Sequence, residues 1–259
     1  MLSRNYDTLR VRFEEDVCFA QIHRPAADNA INQRLIEECT ELLRHCDVAA
    51  KVLVVEGLPN VFCNGADFKD IQQRVDGGSG HPEHDPGQLY DLWQRLATGP
   101  YITVAHVRGR ANAGGIGFVA ACDVVLCEEQ ATFSLSELLF GLMPACVMPF
   151  LIRRMGFAKA NYMTLMTQPI QAKQAEAWGL VDACEASSEN LLRKQLLRLR
   201  RLNKAGIARY KRYASTLDAS LASARTKALQ ANVEVFSDPD NLDRITRFVK
   251  TGRFPWEAS

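Results

Sequence analysis

A chain of 259 residues, 47% hydrophobic and 24% charged, is long enough for one globular domain with a substantial core, or for such a domain with a helical appendage. A formal net charge of +1 supplies no overall attraction to nucleic acid or to a membrane surface, so neither is expected as a partner. The most apolar stretches, Val52–Glu56 and Leu138–Pro144, are far too short to cross a bilayer.

The N-terminal stretch Met1–Asp7 is polar and lacks the basic start and apolar run of a secretory signal, so a cytoplasmic location is expected. The 8 cysteines are scattered among apolar neighbours with no CxxC pair, which predicts reduced core thiols and no metal site.

Leu9–Phe13 and Val17–His23 alternate apolar with polar around the acidic Glu14-Glu15-Asp16 and predict a hairpin or meander. Leu35, Ile36, Cys39, Leu42, Leu43 and Cys46 recur at helical spacing behind a possible N-cap at Asn32, and the β-branched run Val52–Glu56 follows. The result is a strand, helix, strand unit. Tyr101–Val107 and Asp123–Cys127 are two more short strands, and the Gly-rich helical crossover between them favours parallel pairing in an α/β fold. Asp76–Gly87, with its glycines, prolines, His81 and His84, predicts a loop-like insert between a helix after Asp67 and another through Leu89, Leu92 and Leu96. After about Val181 strand signals stop, and Ser188–Leu202, Ala205–Leu217, Leu221–Val235 and Asn241–Thr251 predict a helical tail.

Two segments about fifty residues apart, Asn64-Gly65-Ala66-Asp67 and Ala113-Gly114-Gly115-Ile116-Gly117, each lie where a strand gives way to a helix. A helix start exposes unpaired N–H groups and a positive dipole end. Two such starts converging on one carbonyl oxygen form an oxyanion hole able to hold an enolate.

Arg24-Pro25 with Asn29-Ala30-Ile31-Asn32, then Phe62-Cys63-Asn64-Gly65-Ala66-Asp67-Phe68, then Val107-Arg108-Gly109 through Cys122-Asp123, then Ser136-Glu137-Leu138 and Gly141-Leu142-Met143-Pro144, stand in an ordered set that resembles the crotonase (enoyl-CoA hydratase/isomerase) superfamily. The resemblance covers nearly the whole chain to Thr251. It implies a spiral of repeated ββα units over residues 1–186, and a helical region over 187–259 that serves oligomerisation and helps to cover the active site. A homotrimer or hexamer is implied by the resemblance alone.

Within that superfamily, Glu56-Gly57-Leu58-Pro59, Tyr90-Asp91-Leu92-Trp93, Thr98-Gly99-Pro100-Tyr101, Ser134–Gly141 with Pro144-Ala145-Cys146, Leu199–Lys204 and Phe254-Pro255-Trp256-Glu257 look most like one subgroup. Its members dehydrate 3-hydroxy-3-methylglutaryl attached to an acyl carrier protein, in polyketide β-branching. No cofactor is implied beyond the phosphopantetheine or coenzyme A that carries the acyl group.

Carried over residue by residue, the resemblance makes the backbone N–H groups of Ala66 and Gly114 the donors to the thioester oxygen, with Gly65, Asp67 and Gly115 as neighbouring substrate-binding positions. Asp67 also precedes a predicted helix, where an N-cap role is the better assignment. Ordinary hydratases of the family use two glutamates. Here Glu137 matches the second, and Gly117 stands at the place of the first. One carboxylate still serves a dehydration, taking the C2 proton and then protonating the departing C3 hydroxyl. Among Leu135, Leu138, Leu139 and Phe140, Glu137 is expected to be desolvated, with its proton affinity raised.

The distal carboxylate of such a substrate needs a cation or several donors, and Lys69, Arg74, His81, His84, His106, Arg153 and Arg154 are all open candidates. Tyr90, Trp93 and Cys146 either line the acyl pocket or pack in the core. Basic residues gather at Arg193, Lys194, Arg198, Arg200, Arg201, Lys204, Arg209, Lys211 and Arg212, either as a face for an acidic carrier protein and a phosphate or as a solvated helix surface. Three other functions remain open. A double-bond isomerase or hydratase of coenzyme A thioesters needs the same oxyanion hole, a decarboxylase of the same scaffold generally lacks the glutamate, and an RNA-binding or scaffold protein of this fold needs neither.

Overall fold

The computed structural model describes residues 5–77 and 85–257. Strands β1 (Leu9–Glu14) and β2 (Val17–Ile22) form the predicted antiparallel hairpin, with Glu14 opposite Val17. Asn32 caps helix α1 (Gln33–Ala49), its side chain accepting a hydrogen bond from the Leu35 N–H at 3.0 Å. The chain then returns as β3 (Val52–Glu56), parallel to β2.

One motif now repeats. β3 leads into a short β4 (Val61–Cys63) and helix α2 (Phe68–Asp76), followed by α3 (Pro86–Thr98). β5 (Ile102–Val107) leads into β6 (Arg110–Asn112) and α4 (Gly114–Ala121). β7 (Val124–Glu128) leads into β8 (Thr132–Ser134), a single 3-10 turn Glu137–Phe140, and α5 (Met148–Met155). After α6 (Phe157–Met166), β9 (Ile170–Gln171) and α7 (Ala172–Ala177), the chain reaches β10 (Ala183–Glu185).

The first strand of each repeat joins a six-stranded sheet ordered β1-β2-β3-β5-β7-β10, and the second joins a four-stranded sheet ordered β4-β6-β8-β9. Neighbours are parallel except β1 with β2 and β8 with β9. This is the α/β spiral of ββα units that the sequence implied, and β5 lies parallel beside β7 as expected.

The large sheet is covered on both faces, and the period of two along its strands assigns the layers. Cys18, Leu53 and Ala105 face the main core with α1, α3, α4 and α5. Val17, Phe19, Val52, Val54 and Val104 face the opposite way, onto Leu191, Leu192 and Leu196 of α8 (Ser188–Leu199). The tail continues through α9 (Lys204–Leu217), α10 (Ser220–Ser237) and α11 (Pro239–Thr251), all close to their predicted limits.

Three expectations need correction. Strand signals do not end at Val181, because β10 pairs in parallel with β7, Cys184 opposite Cys127. The small sheet was not foreseen, since strands of two or three residues carry no readable period. The insert ends before Gly87, because Asp85 caps α3 by accepting from the Gly87 N–H at 2.8 Å and Pro86 opens the helix. Its central residues, His81 and His84 among them, lie outside the described residues.

Asn29 fixes the position of the site. It is fully buried at φ 54°, a conformation that asparagine tolerates. Its Nδ2 donates to the carbonyls of Ile22 at 2.9 Å and Phe62 at 3.1 Å, while its Oδ1 accepts from the Arg24 N–H at 2.7 Å. The loop before α1 is thereby pinned to β4, which brings Ile31 beside Ala66. Asn29→Ala orphans these buried groups, so urea unfolding is expected to show a loss on the order of 3 kcal/mol, accompanied by reduced turnover.

Candidate active site

Both Gly-containing segments sit between a strand and a helix, as predicted, and in each case the strand belongs to the small sheet. The Ile31 N–H donates to the Gly65 carbonyl at 2.7 Å and the Asp67 N–H to the Ile31 carbonyl at 3.0 Å. Peptide alternation therefore turns the Ala66 N–H to the other side, away from Ile31. Gly114 is the first residue of α4, so its N–H has no partner within the helix. The residue before it, Ala113, holds φ 50° and ψ −123°, a strained conformation for an L side chain, of order 1–3 kcal/mol. That strain sits at the start of α4, directly before the Gly114 N–H.

The segments touch. A Cβ on Gly65, whose φ is 88°, would lie 2.6 Å from the Ala113 Cβ and 3.2 Å from the Gly114 nitrogen, so only glycine allows this approach. Ala66 and Gly114 line a cavity of about 780 Å³ together with Asp67 and Glu137. Gly65 and Gly115 back it instead of lining it. A Cβ on Gly115 would meet the Cys63 carbonyl oxygen at 2.3 Å, and the missing side chain lets α4 lie directly on β4.

Asp67 pairs with Arg24 at 3.0 Å and accepts from the Asp70 N–H at 3.3 Å, which is the N-cap role preferred from the sequence. Glu137 opens the 3-10 turn after β8. Its Oε2 is buried with no hydrogen-bond partner among the described residues. Burial in this apolar setting raises its pKa to about 7, against the opposing pull of the backbone N–H groups of Glu137 and Ser136. Leu139 and Phe140 line the same cavity, and Leu135 is buried. Leu138 departs from the expectation: it is 39% exposed and does not line the cavity.

The place of the missing carboxylate is filled. A Cβ on Gly117 would lie 2.5–2.6 Å from three atoms of the Trp93 indole. The ring is held by edge contacts with Phe118 and Phe150 and forms part of the cavity wall. Cys146 also lines the cavity, whereas Tyr90 is a core residue whose hydroxyl donates to the Leu221 carbonyl at 2.7 Å. The signal that sequence reasoning missed was the pairing of a large aromatic with a helical glycine.

Of the cations considered for the distal carboxylate, Lys69 lines the cavity. Arg153 pairs with Asp218 at 2.8 Å, and Arg154 holds Asp182 and the carbonyls of Leu180, Cys122 and Asp123. His106 is buried between Glu56 at 2.9 Å and Ser188 at 2.8 Å. The Arg74 side chain, His81 and His84 lie outside the described residues.

The basic run of the tail is also divided by the structure. Lys211 is buried against Asp123, Lys204 holds the carbonyls of Cys46 and Ala50, and Arg200 reaches Glu14. Arg198, Arg201, Arg209 and Arg212 stay exposed. None of these residues lines the cavity.

The cavity is closed on one side by the tail. Phe140, the last residue of the Glu137 turn, meets Phe248 of α11 at 5.1 Å and Phe254 at 6.0 Å, and Phe68 of α2 packs on Phe140 at 5.1 Å. Among the described residues no helix is long and apolar enough to cross a membrane, and no cluster of potential metal ligands occurs.

Residues 12–259 match the family model described as enoyl-CoA hydratase/isomerase. The bacillaene synthase dehydratase PksH of Bacillus subtilis is 56% identical over 253 residues, 97% of either chain. The crystal structure of a polyketide biosynthesis enoyl-CoA hydratase, pksH, from Bacillus subtilis superposes with a TM-score of 0.95 at 55% identity, covering 97% of this chain and 100% of that one. The 2,3-dehydroadipyl-CoA hydratase of Escherichia coli is 33% identical over 176 residues, 67% of either chain. The chain belongs to the enoyl-CoA hydratase/isomerase family and is an enzyme of the hydro-lyase kind for which these relatives are named.

Proposed function

We propose that the protein removes water from 3-hydroxy-3-methylglutaryl thioester on an acyl carrier protein, giving 3-methylglutaconyl thioester, as a step of polyketide β-branching. The observation that carries this reading is Glu137, whose Oε2 is buried without a hydrogen-bond partner among the described residues, in a cavity it shares with Ala66 and Gly114, where Trp93 fills the space of a second glutamate. The likeness to a relative named as a synthase dehydratase supports it.

In the reaction, ionised Glu137 takes the C2 proton. The electron pair moves toward the thioester carbonyl, whose oxygen gains negative charge against the N–H groups of Ala66 and Gly114. One such donor is worth about 2.7–4 kcal/mol in the transition state. The pair then returns to form the C2–C3 double bond as the C3–O bond breaks, and protonated Glu137 gives its proton to the departing hydroxyl, which leaves as water. A pKa near 7 suits a group that must both take and give a proton at neutral pH. Lys69 lines the cavity, and in this reading it meets the distal carboxylate.

The test incubates the protein with 3-hydroxy-3-methylglutaryl and 3-hydroxybutyryl thioesters, each on acyl carrier protein and on coenzyme A, with mass spectrometry of the products. Loss of water from the branched substrate, faster on the carrier protein, is the expected result. If neither substrate loses water, conversion of an added 3-butenoyl-coenzyme A to its conjugated isomer, seen by ultraviolet absorbance, would assign an isomerase instead, loss of carbon dioxide from added 3-methylglutaconyl thioester a decarboxylase, and no turnover of any thioester a scaffold.

A further inference from the structure

Ser136 stands at the N-cap position of the 3-10 turn that carries Glu137, yet its side chain makes no capping hydrogen bond. Its oxygen is used elsewhere. The Ser134 hydroxyl donates to Asn112 Oδ1 at 2.7 Å, and Asn112 Nδ2 donates to Ser136 Oγ at 2.9 Å. This chain of donors runs in one direction and ends at Ser136, whose own hydroxyl proton has no acceptor among the described residues. All three side chains line the cavity, and the Ser136 backbone N–H is directed at the Glu137 carboxylate. A hydroxyl whose oxygen already accepts is a stronger donor, because successive hydrogen bonds polarise one another. An unspent proton beside the catalytic carboxyl calls for an oxygen on the ligand.

Resting on the dehydratase reading, we propose that Ser136 is a further catalytic residue, whose hydroxyl donates a hydrogen bond to the C3 oxygen of the substrate and holds it as it leaves. Ser136 supplies no proton to the product. It stabilises the negative charge that grows on the oxygen while the C3–O bond breaks, and Glu137 delivers the proton that completes the water. Asn112 is a positioning residue in this scheme, since it links the strand before Gly114 to the turn before Glu137 and sets the direction of the Ser136 hydroxyl.

A protein–ligand cycle tests the proposal. The affinities of 3-hydroxy-3-methylglutaryl-pantetheine and of its 3-deoxy analogue, 3-methylglutaryl-pantetheine, are measured on Glu137→Gln, which binds without turnover, and on that variant carrying Ser136→Ala or Ser136→Thr. Ser136→Ala is expected to reduce the preference for the hydroxylated ligand by about tenfold. Ser136→Thr, which keeps the hydroxyl, is expected to preserve that preference. An unchanged ratio, or equal weakening of both ligands, overturns the role of Ser136 while leaving the dehydratase reading intact. Water loss by Glu137→Gln removes Glu137 as the acid–base group, whereas failure of the unaltered protein to remove water from the hydroxylated ligand brings down the dehydratase reading.

Discussion

Glu137→Gln loses roughly 1,000-fold or more in the rate of water loss, the scale expected when a single group serves as both base and acid. Glutamine keeps the shape and accepts no C2 proton, and with Trp93 over Gly117 no glutamate on α4 stands in for it. In the unaltered protein Glu137 must be ionised to begin the reaction, so kcat/KM rises with pH through about 7 and levels off above it. A profile that instead rises near the ordinary carboxylate range, around 4 to 5, removes the desolvated base from the mechanism.

The same burial has a cost in stability. The folded state holds the Glu137 proton up to about pH 7, whereas an unfolded chain releases it near the ordinary glutamate value of 4.5. A raised pKa of this kind favours the fold at low pH, and the advantage disappears as pH rises through the folded value. Glu137→Gln therefore matches the parent protein in urea unfolding below about pH 4.5 and becomes progressively more stable up to about pH 7, by a few kcal/mol at most. Greater stability with lower activity marks a residue kept for chemistry and not for packing.

Gly117→Glu, which restores the second carboxylate of ordinary hydratases, is expected to destabilise this protein severely. The added Cβ would lie 2.5 Å from Trp93 Cζ2, and the indole is only 1% exposed. Gly117→Ala alone overpacks the site at about 1–3 kcal/mol, and the glutamate adds the desolvation of a charge with no partner. Trp93→Ala costs about 3–5 kcal/mol by itself through the cavity it leaves. The combination of Gly117→Glu with Trp93→Ala is then far better tolerated than the sum of the two, because each relieves what the other causes. Urea midpoints of the three variants measure this coupling. Strict additivity would show that the indole and the glycine are not in fact sharing one space.

Five of the six strands of the larger sheet, the helical tail and the positions of the two Gly-containing segments were legible along the chain, because each rests on local rules. Alternation along Leu9–Ile22, the Asn32 cap and the Gly-rich starts at Ala66 and Gly114 act over a few residues, and local sterics and hydrogen bonding decide them. Ordered motifs also singled out Glu137, which lines the cavity in the folded chain. The small sheet was hidden because its strands are two or three residues long and are held by partners far away in the chain.

Packing between distant segments decided the rest. Glutamate, glycine and tryptophan are ordinary residues in isolation, and only the approach of α3 to α4 makes Gly117 and Trp93 into one feature that rules out a second carboxylate. In the same way, Lys211 belongs to a basic run by sequence and to a buried pair with Asp123 by structure. Sequence determined which groups are available and where helices and long strands begin. Tertiary structure determined which groups are desolvated, which are already paired and which remain free to meet a substrate, since burial and partnership depend on residues that the chain brings together only when folded.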